Sequence, residues 1–538
     1  MAFEHCRFNM RSHPARAAHL LTALLLLSLL NGMLGAGLPQ TEGLSSDSPV
    51  QSASGRASSA EVFLSAGGSA NGDVFPTAID ATDTGYAVVG DYNRTLTFGT
   101  HTLAATSPFS NGNEFFLASM NNAGDWDYLV GADHSMGSVS FVSDVASSAG
   151  MPVVAGYMYG PVSFGQTSLS TQVLDGFIAK AGPGGNWMWA TAFQTVANSS
   201  TDISLPHAVA VDSLGDVVVA GYFSGETDFG GTTFNVSNEE LFIAKLDGNN
   251  GALKWAITGG GIGAQRVTDL VIDSSGNIMI SAITQNNVLF GTKNYATVGT
   301  QDSLVVKISS SGTFSSVTGY GIAGQVVTAS AMALDANNNL YVGGTFEGTM
   351  TKNGWSITAN KGGTDIFFLK EGTTSNNQWA TVGGSNANDN LGALGVTSSY
   401  SLIFTSYIQG TFSGGTKSVT PSANLDGLVG GLSSTGGWSW LDVTGSSAYE
   451  ASLDLAVNAS DIVATTGAFA NNGPATITKD TTTVTSTGGW DTYVWAIDPS
   501  MKADSDNDGV PDVTDNCPTV SNPLQGNTNG DPQGDACD

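Results

Sequence analysis

The sequence predicts an all-β fold: a seven-bladed β-propeller closed by its own N-terminal strand, followed by a short calcium-wrapped module. Three observations carry this. Two β-rich runs joined by a Gly-containing turn recur seven times, and an acidic residue leading into a short apolar run recurs at the same period. Helix formers are also scarce beside 69 glycines and abundant Ser, Thr and Asn in a chain of 538 residues.

The first element, residues 1–36, has the three parts of an export signal. Arg7, Arg11 and Arg16 precede the apolar run LLTALLLLSLL, and small residues follow around Leu34, Gly35 and Ala36. The run is short of the roughly 20 residues that a bilayer span needs. Removal of the signal leaves no membrane span, and retention as an N-terminal anchor is the alternative. Residues 37–60 form a polar, Ser-rich linker. A formal charge of −29 excludes nucleic acid and anionic lipid as partners.

The body, residues 61–498, is the repeated part. Residues 208–231, AVAVDSLGDVVVAGYFSGETDFGG, show the unit, and AIDATDTGYAVVGDY and ALDANNNLYVGGTFEG are close relatives of it. The acids that lead the third run are Glu114, Asp175, Glu240, Asp302, Asp365, Asp426 and Asp491, spaced by 61, 65, 62, 63, 61 and 65 residues. An aromatic-led run such as WMWATAF or KWAITGG then supplies a fourth strand. Four antiparallel strands repeated radially describe propeller blades, each packing its apolar face on the next. The segment EVFLSAGGS, residues 61–69, has the fourth-strand pattern but precedes the first copy, while the last copy stops after its third strand. A closed ring therefore needs the N-terminal strand to complete the last blade and cover its edge.

The recurrent residues have structural roles in this frame. The seven acids are expected to accept hydrogen bonds from neighbouring turns, and Asp212, Asp273 and Asp335 to cap their own D-x-x-G hairpins. Trp189, Trp255, Trp379 and Trp440 are expected to fill the space between blades. His101, His134 and His207 stand outside any repeated or metal-spaced constellation, so no catalytic residue is assigned. The repeats resemble the seven-bladed beta-propeller repeat family, in which an Ala-x-x-x-Asp-x-x-Gly hairpin precedes an Asp-x-Phe-x-x-Lys strand. Ala208, Asp212, Gly215, Asp273, Gly276 and Asp335 carry the hairpin, and Asp175, Phe177 and Lys180 the strand. Copies six and seven depart from both patterns. The resemblance implies the fold and no particular activity.

After a short linker, residues 499–503, the chain ends on 504–538. Its opening, DSDNDGVPDVTDNCP, adds carboxylates to an already acidic chain. Calcium takes six to eight oxygens, which a short loop supplies best when alternate residues point inward. Asp504, Asp506 and Asp508 alternate in this way, Gly509 permits a sharp turn, Asp512 and Asp515 come round later, and Val510 can add a backbone carbonyl. Cys6 falls in the signal, which leaves Cys517 and Cys537 as a pair that an oxidising compartment permits to bond. The segment resembles a thrombospondin type 3 repeat, through D-x-D-x-D-G-x-x-D-x-x-D-N-C-P, N-P-x-Q and G-D-A-C-D. The resemblance implies one Ca2+ held by Asp504, Asp506, Asp508, Asp512 and Asp515. It implies a second at Asn527, Asn529, Asp531, Asp535 and Asp538, and a Cys517–Cys537 disulfide. The second half departs from the pattern, with Asn at two places usually held by Asp and with Pro532. The expectation is a secreted or cell-surface calcium-binding protein whose propeller meets an extracellular protein or glycan. The alternative is an extracellular glycan hydrolase or lyase with acids at the propeller mouth.

Overall fold

The computed structural model describes residues 60–538 except 71, 107–112, 197–201, 353, 373–377, 423–424, 446–448, 471–474, 488, 503, 505, 507–509, 513 and 529–532. The expected export signal and nearly all of the Ser-rich linker lie outside the described residues.

Each repeat folds as four antiparallel strands in sequence order. In the third repeat these are Ile203–Val211, Val217–Asp228, Thr233–Leu246 and Leu253–Gly261. Val218 pairs with Ala210 on one side and Lys245 on the other, and Lys245 pairs in turn with Trp255. The continuous run VVVAGYF that opens the second strand is buried throughout, because both faces of a blade are covered by neighbours and alternation with polar residues is not needed. The described residues form seven such four-stranded units. The last combines Tyr449–Val457, Val463–Ala470 and Asp491–Ile497 with the N-terminal Glu61–Gly68, in which Leu64 pairs with Trp495 and Ala66 with Tyr493.

The innermost strands are Val74–Ala81, Val139–Ser148, Ile203–Val211, Gln265–Ile272, Val327–Leu334, Asn390–Val396 and Tyr449–Val457. Each touches the next in that order, and the last touches the first. The fold is thus an all-β propeller. Its core lies between units rather than within them. Phe115 and Leu117 of the first unit pack on Val154 and Phe177 of the second, with the Phe115 and Phe177 rings 5.2 Å apart. At the closure, Phe63, Val494 and Ala496 of the last unit pack on Tyr86 and Phe116 of the first. Truncating one such Phe to Ala costs about 3–5 kcal/mol.

Two further devices join neighbours. The hairpin between the second and third strands reaches back to the outermost strand of the preceding unit, as where Phe98 pairs with Gly67, Thr227 with Thr195 and Leu289 with Gly260. Ladder groups that an outer edge would leave open are paired there. On the outermost strands, Trp189 and Trp379 lie against the last turn of the following unit, at Gly251 (φ 72°) and Gly436 (φ 83°). A Cβ at Gly251 would stand 2.6 Å from the Trp189 ring, so both the left-handed backbone and the close approach require glycine.

Candidate metal centre

The chain leaves the last blade at Ile497. Asp498 donates its N–H to Ala60 O (2.7 Å), and its carboxylate accepts from Ser500 N (3.0 Å), capping the single turn Pro499–Met501. This turn brings Lys502 back onto the closing strand, with Nζ 2.9 Å from Glu61 Oε1 and 2.6 Å from Asp442 Oδ2. Asp442 Oδ1 also receives Lys479, 3.0 Å away, whose ammonium lies 4.0 Å from the Trp495 ring centroid. Trp495 Nε1 donates to Glu61. Burial works against the charged form of Asp442, but the Lys479 and Lys502 ammonium groups outweigh it and hold the carboxyl below its ordinary range.

Beyond this clasp, Asp504, Asp506, Val510, Asp512 and Asp515 are all half-buried. Asp508 lies outside the described residues. Asp515 Oδ1 accepts from Cys517 N (2.7 Å) and Gln525 Nε2 (2.8 Å), while Asp515 Oδ2 and Asp506 Oδ2 are buried from solvent. Gln525 Oε1 accepts from Asn516 N (2.8 Å), and Asn522 donates to Asn516 Oδ1 (2.6 Å). The N-P-x-Q element therefore acts as a brace that orients Asp515, a role its sequence pattern alone did not disclose. Cys517 and Cys537 form a disulfide with Cα atoms 5.6 Å apart, and Cys517 is the buried centre of the segment.

These all-oxygen, mostly anionic donors suit a hard divalent cation. The second predicted set differs. Asn527, Asp535 and Asp538 are exposed, and Asn529 and Asp531 lie outside the described residues. Asp535 accepts from Thr528 N and Oγ1, both at 2.6 Å, and these bonds hold its carboxyl below the usual range. Among the described residues, neither predicted set nor any other group of three or more His, Cys, Asp or Glu side chains is brought together so that it could hold a metal ion.

The recurrent aspartates of the propeller accept from its own backbone, while Glu114 accepts from Tyr92 Oη (3.1 Å). Asp175 accepts from Thr195 N (3.1 Å), Asp302 from Val298 N (2.7 Å), Asp365 from Asn360 N (2.8 Å) and Asp491 from Ser69 N (3.0 Å). Asp212 accepts from Leu214 N and Asp216 N and also meets Lys245 Nζ at 2.6 Å; Asp335 meets Lys370 Nζ at 3.4 Å. In the third and fifth repeats the lysine ending the third strand thus pairs with the hairpin aspartate of its own repeat, whereas Lys180 of the second donates to Gly248 O of the following unit (3.0 Å).

A second set of carboxylates lies around the ring axis. Asp144, Asp269 and Asp454 follow the bulge in their innermost strands. One oxygen of each accepts the next residue's N–H, and the other accepts from the following unit: Val209 N (2.7 Å), Met332 N (2.5 Å) and Ile79 N (2.7 Å). Asp80 bridges in the same manner to Ser147 N (2.6 Å). Enclosure by neighbouring strands pushes Asp80, Asp269 and Asp454 up to about 7 and Asp144 well above its ordinary value, with the Asp454 charge adding to the other three. Since Ala208 and Ala331 take the equivalent place in the third and fifth units, no sequence repeat marked it.

His134 has a constellation that spacing did not predict. Its Nε2 is 2.7 Å from Ser140 Oγ, and its Nδ1 is 2.9 Å from Ala132 O and 3.4 Å from Glu114 Oε2. Ser140 and Glu114 have no exposed surface, and Phe115 N donates to Ser140 Oγ (3.3 Å). Ser204 makes the same tie to Gly176 N (3.0 Å) one unit on. The Ser–His–Glu chain is therefore an inter-blade strut, closed to a substrate.

Residues 502–525 match the thrombospondin type 3 repeat model. The first oxygen set lies within that match, and residues 527–538 lie beyond it. An uncharacterized WD repeat-containing protein of Acanthamoeba polyphaga mimivirus is 28% identical over 152 residues, which cover 24% of this chain and 10% of that protein. BamB of Moraxella catarrhalis is 10% identical at a TM-score of 0.31, covering 73% of this chain and 97% of its own. Pyrococcus horikoshii acylaminoacyl peptidase is 8% identical at 0.39, with 79% and 52% covered. Structural likeness at these values has no bearing on the activity of this chain. No helix among the described residues is long and apolar enough to cross a membrane. The chain thus joins an all-β propeller to a C-terminal segment similar to the thrombospondin type 3 repeat.

Proposed function

We propose that this chain is an exported calcium-binding protein, secreted or held at a cell surface, whose propeller is a scaffold for contact with an extracellular protein or glycan. The supporting observation is the half-buried set Asp504, Asp506, Asp512 and Asp515, beside the Val510 carbonyl, in a segment matching the thrombospondin type 3 repeat and closed by a disulfide. Calcium held there would neutralise the carboxylates and cross-link a loop that has almost no apolar core of its own. Asn516, Asn522 and Gln525 orient Asp515 for this, and the disulfide limits the freedom of the unloaded loop.

Calorimetric titration of calcium into the whole exported chain and its Asp506→Asn and Asp515→Asn variants tests the metal. A loss of at least about tenfold in affinity is expected for each, since a hard cation depends on ligand charge. Unchanged affinity in both would move calcium elsewhere. For the scaffold role, the chain is expected to retain a glycan or extracellular protein from a defined panel without altering it. Turnover of a glycan would instead support an extracellular hydrolase or lyase.

A further inference from the structure

We propose that calcium loading of the C-terminal segment is coupled to closure of the propeller ring, with Lys502 as the link. This rests on the calcium reading above and adds to it a conformational consequence for the whole body. The closing strand Glu61–Gly68 is held to the last blade by its ladder with Asp491–Ile497, and Lys502 bonds to its first residue. The same ammonium reaches Asp442 on the outermost strand of the sixth unit, Trp438–Val443. One side chain therefore ties three separate pieces: the N-terminal strand, the sixth blade and the chain entering the calcium segment.

Two residues further on, Asp504 is the first predicted metal ligand, and its backbone carbonyl is 3.4 Å from Lys417 Nζ on the sixth blade. Lys502 is thus held on the propeller by Glu61 and Asp442, two residues before the first predicted ligand. Calcium would fix the chain at residue 504 and so keep the ammonium on Glu61 and Asp442. By linkage, a clasp that calcium tightens must also favour calcium when it is closed.

All ten tryptophans fall between residues 126 and 495, so tryptophan fluorescence reports unfolding of the propeller and not of the calcium segment. Thermal unfolding of the whole chain would be followed by this signal with calcium and with chelator, beside calorimetric calcium binding. The comparison includes Lys502→Ala and, as a second cut in the same clasp, Asp442→Asn. For the unaltered chain, saturating calcium is expected to raise the tryptophan-reported midpoint by roughly 2–5 °C. Both variants are expected to keep binding calcium while losing at least about half of that shift. A full shift in both variants, or no shift in the unaltered chain although calorimetry shows binding, would overturn the coupling. Absence of calcium binding to the unaltered chain would overturn the calcium reading itself, and the coupling with it.

Discussion

The carboxylates at the ring axis make stability depend on pH in a direction opposite to that of ordinary surface acids. Asp454 closes the ring by accepting Leu455 N (2.8 Å) and Ile79 N (2.7 Å), and burial raises it from 3.8 to about 7. Between these values the folded chain binds a proton that the unfolded chain has released. Stability contributed by protonation is therefore present below about 4 and is lost as pH rises toward 7. For a full proton the slope is about −1.4 kcal/mol per pH unit, or at most about 4 kcal/mol across the window. Because Asp454 is half-buried rather than sealed, screening reduces this, and we expect about 2 kcal/mol. Asp80 and Asp269, also raised to about 7, act in the same sense, as do Asp175 and Asp491, raised to about 6. His207, lowered to about 4 by burial and by Arg266, opposes them below about 6.5. The variant Asp454→Asn isolates one group. Its carboxamide cannot titrate, and loss of the Asp454 charge also lowers its three neighbours. Urea unfolding at half-unit steps from pH 4.5 to 7.5 should show stability of the unaltered chain falling more steeply with pH than that of the variant, with a cumulative difference of about 2 kcal/mol. Equal slopes, or a steeper fall in the variant, would refute the assignment.

Three other outcomes follow from the geometry. Replacing both Cys517 and Cys537 with Ser opens a loop with a sequence separation of 20; it should cost about 3 kcal/mol of ordering, read as roughly a hundredfold weaker calcium binding by calorimetry. Gly251→Val places a branched side chain at φ 72° against Trp189 and should lower stability by about 2–4 kcal/mol in urea, with little change in calcium affinity. Lys245→Met leaves the buried Asp212 carboxylate without its ammonium partner 2.6 Å away and should cost about 3–5 kcal/mol in the same assay at pH 7.

The propeller was legible because its period is set by packing. Each unit buries both faces, so the apolar runs and the acid that caps each third strand recur without regard to what a blade does. The closing role of EVFLSAGGS was equally readable, since its type matched a fourth strand while its position preceded the first repeat. Cys517 and Cys537 are joined, as their pairing in an otherwise cysteine-free mature chain suggested. Other features depend on contacts between residues distant in sequence. Asp454 bonds to Ile79 across 375 residues, and Lys502 reaches Glu61 across 441. No local pattern encodes such pairs. The His134 strut was missed for a related reason: Glu114 and Ser140 come from adjacent blades, and only the ring brings them to one histidine. The calcium segment had an intermediate standing. Its donor spacing was explicit, but nothing in the spacing revealed that the first set is half-buried while described members of the second are exposed.

Calcium binding by the exported chain is best measured by calorimetry beside a chain ending at Asp498. The longer chain is expected to bind, less tightly with Asp506→Asn, and the shorter chain, whose blades are intact, not to bind. Equal binding by both would place the cation among the propeller carboxylates and contradict the assignment of the C-terminal segment as the calcium site.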